Sequence, residues 1–235
     1  MPMLEFIKNI ILILRELLCS PHVGVSLGPV NEDSSRIYQA LHSRHPKWWV
    51  IRNKTRGVAL IPLKDYNGYQ GYADQHGGKN SAIYYSRKAG RAGYVFDKMN
   101  PWNSLAAIRE INNSATDRQG KPMDDTYTGM DIQYPDRPSH LYYGVFIEEK
   151  LIAYLWLQVS GELVLVNRIL GHANHLRNGI MYLLLTSAVA QVYDHLPGVR
   201  FMMYDTFPGA TAGLRLFKKR LGFKSYKVTW TLQKD

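Results

Sequence analysis

Three features of the sequence predict an α/β fold, α+β in its segregation, with a mixed, mostly antiparallel twisted sheet flanked by helices and an N-terminal elaboration. First, Leu141–Ile147 and Leu151–Ser160 are β-branched and aromatic runs around the charged turn Glu148-Glu149-Lys150, and Gly161 leads into a third run, Leu163–Ile169. That is the pattern of an antiparallel meander. Second, after Gly171 the apolar period changes from two to about 3.6, which predicts a helix over Leu176–Tyr193, buried on much of its circumference and ended by Pro197-Gly198. Third, a strand, helix and strand follow: Arg200–Asp205, Thr211–Arg220 with Leu214, Phe217 and Leu221 inward, and Lys224–Leu232 after the helix stop Gly222.

The rest of the chain is read in order, as an amphipathic helix over 1–20, an N-terminal α/β lobe over 21–100 and a core over 101–235. In Met1–Leu18 the residues Leu4, Ile7, Ile11, Leu14 and Leu18 recur at helical spacing, interrupted by Glu5, Lys8, Arg15 and Glu16. The segment is too short and charged to span a bilayer and lacks a signal-peptide cleavage site; it is expected to pack on the domain or on a partner subunit. Pro21–Asp33 reads as a linker, Ser34–His42 as a helix, and Trp48–Arg52 with Val58–Leu63 as a hairpin. Tyr66–Lys79 reads as a long surface loop, and Ala82–Ser86 with Gly93–Phe96 as a strand pair joined by the basic turn Arg87–Arg91. Pro101–Asn113 is expected to be an amphipathic helix with proline in its first turn. In the loop after it, Arg118, Gln119 and Gly120 offer a guanidinium fork and backbone N–H groups to a substrate carboxylate or phosphate, and Asp124, Asp125, Tyr127 and Asp131 could select a cationic acceptor; ordinary polar turns are the alternative for both.

Composition narrows the function classes. The formal charge is +10 with a pI near 9.6, which calls for an anionic partner such as a nucleotide cofactor, a tRNA or an anionic surface. Cations cluster at Arg87, Lys88 and Arg91, beside Tyr84, Tyr85 and Tyr94, and again from Arg215 to Lys227. The lone Cys19 excludes an internal disulfide and a cysteine-based zinc site; it fits a reducing, cytoplasmic setting and is expected to be a small buried hydrophobe. His172 and His175 lack a carboxylate at ligand spacing, so no metal is expected. Nucleophile-elbow, phosphate-loop and dinucleotide motifs are missing, which removes hydrolase, kinase and dehydrogenase readings.

The order of elements, and the phrase Leu221-Gly222-Phe223 before the last strand, resemble the Gcn5-related N-acyltransferase (GNAT) superfamily over roughly the C-terminal half. The resemblance implies transfer of an acyl group from acyl-CoA, acetyl-CoA first, to a small-molecule or peptide amine. It implies that Asn167, Arg168 and Ile169 form the edge of a strand splayed from Tyr204 and Asp205, with the donor between. It also implies that His172, His175, Arg177, Asn178, Gly179 and Ile180 form the donor loop and helix start, where N–H groups and the helix dipole hold a pyrophosphate. The loop departs from the family pattern: Gly179 matches, Met181 stands where a second small residue is usual, and Arg177 is displaced by one. A plain helix entry is the other reading of Asn178-Gly179.

Lys218 stands where many of these enzymes carry a tyrosine that protonates the departing thiolate. Gly213–Lys218 followed by Leu221-Gly222, with Tyr204-Asp205 upstream, resembles the second acyltransferase unit of the Fem family. Those enzymes take an amino acid from aminoacyl-tRNA to an amine, and their Phe-Lys motif puts a lysine at the reacting centre. The resemblances make Lys218, Tyr204 and Asp205 candidate catalytic residues, with tRNA as the alternative donor carrier; of the neighbouring His172 and His175 one is read as a general base or a donor-phosphate contact, which adds His172 to the catalytic candidates, and the apolar face of the N-terminal helix offers a second copy as a partner. A degenerate fold serving as a binding module is a third reading, and a solvated cation the plain reading of Lys218.

Overall fold

The computed structural model describes residues 11, 13, 17–43, 54–118, 121–123, 127 and 132–233. The expected strand Trp48–Arg52, most of the N-terminal helix, and Gln119, Gly120, Asp124, Asp125 and Asp131 lie outside these residues. Two compact units divide the chain: the first takes Met1–Leu63, Ser160–Leu165 and Gly198–Asp235, the second Lys64–Val159 and Val166–Pro197.

In the first unit β1 (His22–Pro29), β2 (Val58–Pro62), β9 (Phe201–Thr206) and β10 (Lys224–Gln233) are hydrogen-bonded in the order β1-β10-β2-β9. The β1–β10 pair is parallel, and β10–β2 and β2–β9 are antiparallel. Strand β8 (Leu163–Gly171) begins here, pairing in parallel with β9 as Leu163–Phe201, Val164–Met202 and Leu165–Met203. The core gathers Leu27, Leu41, Leu60, Met203, Val228 and Trp230. Helix α1 (Glu32–His42) covers it, started by a reciprocal cap in which Asn31 Oδ1 accepts the Ser34 N–H and Ser34 Oγ accepts the Asn31 N–H, both at 2.9 Å.

The second unit holds α2 (Gly68–Gln75), α3 (Ala82–Arg91), β3 (Val95–Lys98), α4 (Leu105–Asn113), a short hairpin of β4 (Asp117–Arg118) and β5 (Lys121–Pro122), β6 (His140–Ile147) and β7 (Lys150–Ser160). From Val166 it takes the rest of β8, then a 3₁₀ turn (Ala173–Asn178) and α5 (Ile180–His195). Its strands run β8-β7-β6-β3, with β6–β7 and β3–β6 antiparallel. Helix α6 (Ala212–Arg220) belongs to the first unit, capped by Thr211 Oγ1 on the Leu214 N–H. The mixed, mostly antiparallel strand set with flanking helices is the expected fold class.

Several local expectations are corrected. Pro21–Asp33 is no linker: Val25 and Leu27 of β1 are buried against β10. Tyr66–Lys79 contains α2, which buries Tyr72 and Ala73 and so needs no aliphatic face. Of the expected strand pair, Ala82–Ser86 and the turn Arg87–Arg91 are one helix, α3, because Ala82, Ile83 and Ala89 form a narrow buried stripe, while Gly93–Phe96 runs into the strand β3, which pairs with β6. Helix α4 starts at Leu105 rather than Pro101, since Asn100 Oδ1 ties the Trp102 and Asn103 N–H groups at 3.0 and 3.1 Å into a turn. Helix α5 starts at Ile180 rather than Leu176. Gly179 has φ +83°, and a Cβ there would lie 2.6 Å from the Tyr85 carbonyl oxygen. Cys19 is exposed, not buried. In α6 the buried residues are Arg215 and Lys218, while Leu214 and Phe217 are half-buried. Among the described residues no helix is long and apolar enough to cross a membrane, and no cluster of three or more His, Cys, Asp or Glu is placed to hold a metal.

Candidate active site

Lys218 anchors the cluster in the first unit. Helix α6 and the end of β9 fix it: the lysine is fully buried, and its Nζ donates to the Thr206 carbonyl at 2.7 Å. The same nitrogen lies 4.8 Å from the Tyr204 ring centroid and 5.7 Å from that of Phe207. A lysine ammonium is rarely buried without a task or a partner; this one has π faces and a carbonyl dipole around it. Tyr204 follows the last residue of β9 paired with β8, and its ring centroid is 6.0 Å from that of Phe223.

Asp205, the next residue, has φ +54°. For an aspartate this left-handed conformation is uncommon, and such outliers collect at functional sites. Its carboxylate is exposed and 3.4 Å from Lys54 Nζ. Beyond it, Gly209–Ala212, Arg215, Leu216 and Lys219 line a cleft of about 470 Å³. Arg215 Nε donates to the Ala210 carbonyl at 3.2 Å.

The second cluster, in the second unit, centres on the 3₁₀ turn before α5. Asn178 Nδ2 donates to Tyr94 Oη at 2.7 Å, and Tyr94 Oη lies 2.7 Å from His175 Nδ1. The Tyr94 hydroxyl can donate to Nδ1 or accept from it, according to the tautomer of the imidazole. Burial, then the neighbouring His172 and Lys150, holds the His175 pKa below its ordinary value. His172 Nδ1 accepts the Asn174 N–H at 3.3 Å, and its Nε2 is 3.8 Å from Glu110 Oε1. The hydrogen bond from Lys150 Nζ, at 2.7 Å, lowers the Glu110 carboxyl.

The remaining expected residues of this unit fall around the turn. Arg118 donates through NH1 to the Gly171 carbonyl at 2.7 Å, and through NH2 to the Ile111 carbonyl at 3.0 Å and Ser114 Oγ at 2.9 Å. Ser114 Oγ also accepts the Ala173 N–H at 3.0 Å, so Arg118 and Ser114 together fasten the end of α4 to the start of the turn. Asn167 Nδ2 donates to Gln158 Oε1 at 2.9 Å, and the Arg168 guanidinium lies 4.9 Å from the Tyr127 ring centroid. The Tyr127 carbonyl accepts from Asn112 Nδ2 at 2.6 Å, and Asn112 Oδ1 accepts from Tyr154 Oη at 2.8 Å. Ile169 and Ile180 are buried, whereas Arg177 is exposed.

The structure thus joins Lys218 to Tyr204 and Thr206 in one unit, and His175 and Asn178 to Tyr94 in the other. Ser114, Asn112 and Thr206 were not foreseen, and Tyr94 stood out only as an aromatic beside the cations of Arg87–Arg91. Tyr94 and His175 are 81 residues apart, and no local pattern links them. Thr206 acts through its backbone, to which side-chain chemistry gives no clue.

No protein-family profile matches the chain, and no curated protein matches it in sequence. Solved structures do. FemX is similar at 9% identity over 71% of this chain and 58% of its own, with a TM-score of 0.53. The C-terminal domain of a putative lysylphosphatidylglycerol synthetase from Agrobacterium fabrum is similar at 15% identity, over 71% of this chain and 56% of its own, with a TM-score of 0.49. The ribosomal-protein-S18-alanine N-acetyltransferase from Escherichia coli is similar at 15% identity, over 54% and 75%, with a TM-score of 0.42. This chain spans 56% and 58% of the length of the first two solved chains named here. At these identities the likeness is one of fold, and the fold shared with FemX is the GNAT-type arrangement with Fem-type similarity that the element order implies.

Proposed function

We propose that the chain is an N-acyltransferase that moves an aminoacyl group from the ester of a charged tRNA to an amine. The observation that carries this reading is Lys218: a fully buried ammonium in a Phe217-Lys218 pair, set against Tyr204 and the Thr206 carbonyl, in a fold shared with FemX. The net charge of +10 supports a polyanionic donor carrier.

In the proposed reaction the acceptor nitrogen attacks the ester carbonyl and a C–N bond forms. The tetrahedral oxyanion collapses, the C–O bond to the ribose breaks, and the proton lost by the amine ends on the ribose hydroxyl. The part of Lys218 is to hold a fixed positive charge in a dry place, where it stabilises anions far better than in water. Tyr204, whose ring lies against that charge, donates to the departing oxygen. Asp205, strained and exposed, takes the amine proton and passes it by way of solvent to the Tyr204 phenolate, which restores both groups.

An acyl-CoA donor is the second reading, favoured by one observation: Gly179 in the left-handed region opens α5 without a side-chain cap, the helix start that suits a pyrophosphate. The deciding experiment offers the protein labelled aminoacyl-tRNA and, separately, labelled acetyl-CoA with an amine mixture, and follows amide product by mass spectrometry. Amide from charged tRNA, lost in Lys218→Met, supports the proposal. Amide from acetyl-CoA alone replaces it with the second reading, and no amide from either donor rejects both.

A further inference from the structure

Helix α3 carries a face that the reaction does not use. Tyr84, Arg87, Lys88 and Arg91 are exposed, and their spacing i, i+3, i+4, i+7 puts them on one side of the helix. The opposite side is locked: Ala82, Ile83 and Ala89 are buried, and Ser86 Oγ accepts from Thr186 Oγ1 of α5 at 2.9 Å. The sequence holds no carboxylate between Asp74 and Asp97. Asp194 of α5 and Arg87 both act on Tyr69, with opposite sign.

The 3₁₀ turn borders the helix, because the Tyr85 carbonyl sits against Gly179 and the Tyr85 ring stacks on Tyr182 with centroids 5.1 Å apart. That turn adds the exposed Arg177. Arg91 is laid along the helix by its Nε donating to the Arg87 carbonyl at 3.4 Å.

We infer that this face is an RNA-binding surface that takes phosphates of the donor's tRNA body, with Tyr84 as a stacking platform; it rests on the aminoacyl-tRNA reading above for the identity of the RNA. Charge decides for a polyphosphate. Arg87 and Arg91 lie about 6 Å apart along the axis, so several phosphates along one backbone can be met at once. An anionic bilayer fits less well, since an interfacial helix needs an apolar face to insert, and here the exposed positions beyond the cations and Tyr84 are Gly90, Ala92 and Gly93. With point charges and one ring, and no amide side chain to read base edges, recognition is expected to be independent of base sequence.

The test measures binding of uncharged bulk tRNA by fluorescence anisotropy across a salt series, for wild type and for the triple variant Arg87→Ala, Lys88→Ala, Arg91→Ala. Three lost phosphate contacts lower the slope of log K against log salt by about 2 to 3, with at least about a tenfold loss of affinity at moderate salt. Tyr84→Ala should weaken binding of a single-stranded probe and leave the slope alone. An unchanged slope in the triple variant, or wild type that binds phosphatidylglycerol vesicles and no tRNA, overturns the inference. Uncharged tRNA keeps this test apart from the chemistry. Salt-sensitive binding through α3 with no amide product would sink the proposed reaction and leave the surface standing; amide product with an unaltered salt slope would do the reverse.

Discussion

Replacing Lys218 with methionine separates a catalytic cation from a structural one. The side chain keeps its length and volume, so no large cavity opens, whereas alanine would lose about 2–5 kcal/mol to one. Three terms change. The bond from Nζ to the Thr206 carbonyl is removed, a loss of about 1.5–3 kcal/mol for a charged donor. The contact with the Tyr204 face is weakened, a loss of about 1–2 kcal/mol. Against these stands the desolvation of a fully buried ammonium, several kcal/mol that methionine does not incur. The terms nearly cancel, leaving stability within about 2 kcal/mol of wild type and Tm within about 4–8 °C. Aminoacyl transfer should nevertheless fall on the order of 10² to 10³ in kcat, the size of losing one preorganised group at a developing charge. Thermal unfolding and single-turnover transfer from charged tRNA read the two quantities on one sample. A folded Lys218→Met protein with wild-type kcat would refute the reasoning; a loss of about 3–5 kcal/mol with unchanged activity per folded molecule would make the lysine a structural pin.

Three further outcomes follow from the geometry. Gly179→Ala should lower Tm, because the residue sits at φ +83° with the Tyr85 carbonyl 2.6 Å from the new Cβ; a cost of about 1–3 kcal/mol is expected, read by differential scanning calorimetry. Asp205→Gly should change stability by less than about 1 kcal/mol, because relief of φ +54°, about 1–2 kcal/mol, is offset by the entropy glycine adds to the unfolded chain, about 0.4–1 kcal/mol, while Asp205→Gly and Asp205→Asn both slow transfer; denaturant midpoints and initial rates check the pair. Stability should fall as the medium is acidified. The folded pKa of His175 lies below its ordinary 6.5, so below 6.5 the unfolded chain takes the proton first and stability drops until the folded histidine also titrates. Glu110, whose pKa is lowered chiefly by Lys150, adds stability present above the model-compound value of 4.5 and lost as the pH falls through the folded value. Urea midpoints between pH 8 and 4 follow both, and Tyr94→Phe, which removes the hydroxyl shared by Asn178 and His175, should alter the upper step alone.

The meander and the helices after it were legible because their apolar residues repeat within one element. Runs such as Leu151–Ser160 announce a strand whatever lies elsewhere. What escaped depends on contacts far along the chain. Val23, Val25 and Leu27 do alternate, yet the Gly, Pro and Ser around them read as a linker until β10, about two hundred residues on, supplies the partner. Helix α3 reads as one strand and a turn because its buried stripe is alanine-rich and two adjacent tyrosines mimic β-propensity, although Tyr84, Arg87, Lys88 and Arg91 carry the helical period on the solvent side. In α6 the expected inward residue Leu221 is fully buried and Leu214 and Phe217 are half-buried, but Arg215 and Lys218 are turned inward as well. No apolar pattern announces a buried cation, since what makes it tolerable is a carbonyl and two rings brought in by the fold. Lys218 was singled out by its place in a short motif, while its burial came from the coordinates.

The parallel ladder between β1 and β10 governs how the protein must be made. A ribosome releases His22–Pro29 long before Lys224–Gln233 exists, so this edge waits with open backbone groups while the residues between them are synthesised. The intervening residues of the second unit are free to condense first, and the first unit closes as a late event. Ribosome stalling or a nonsense codon before Lys224 would therefore leave a sticky strand, and such products should partition into inclusion bodies or chaperone complexes even though most of the chain is present.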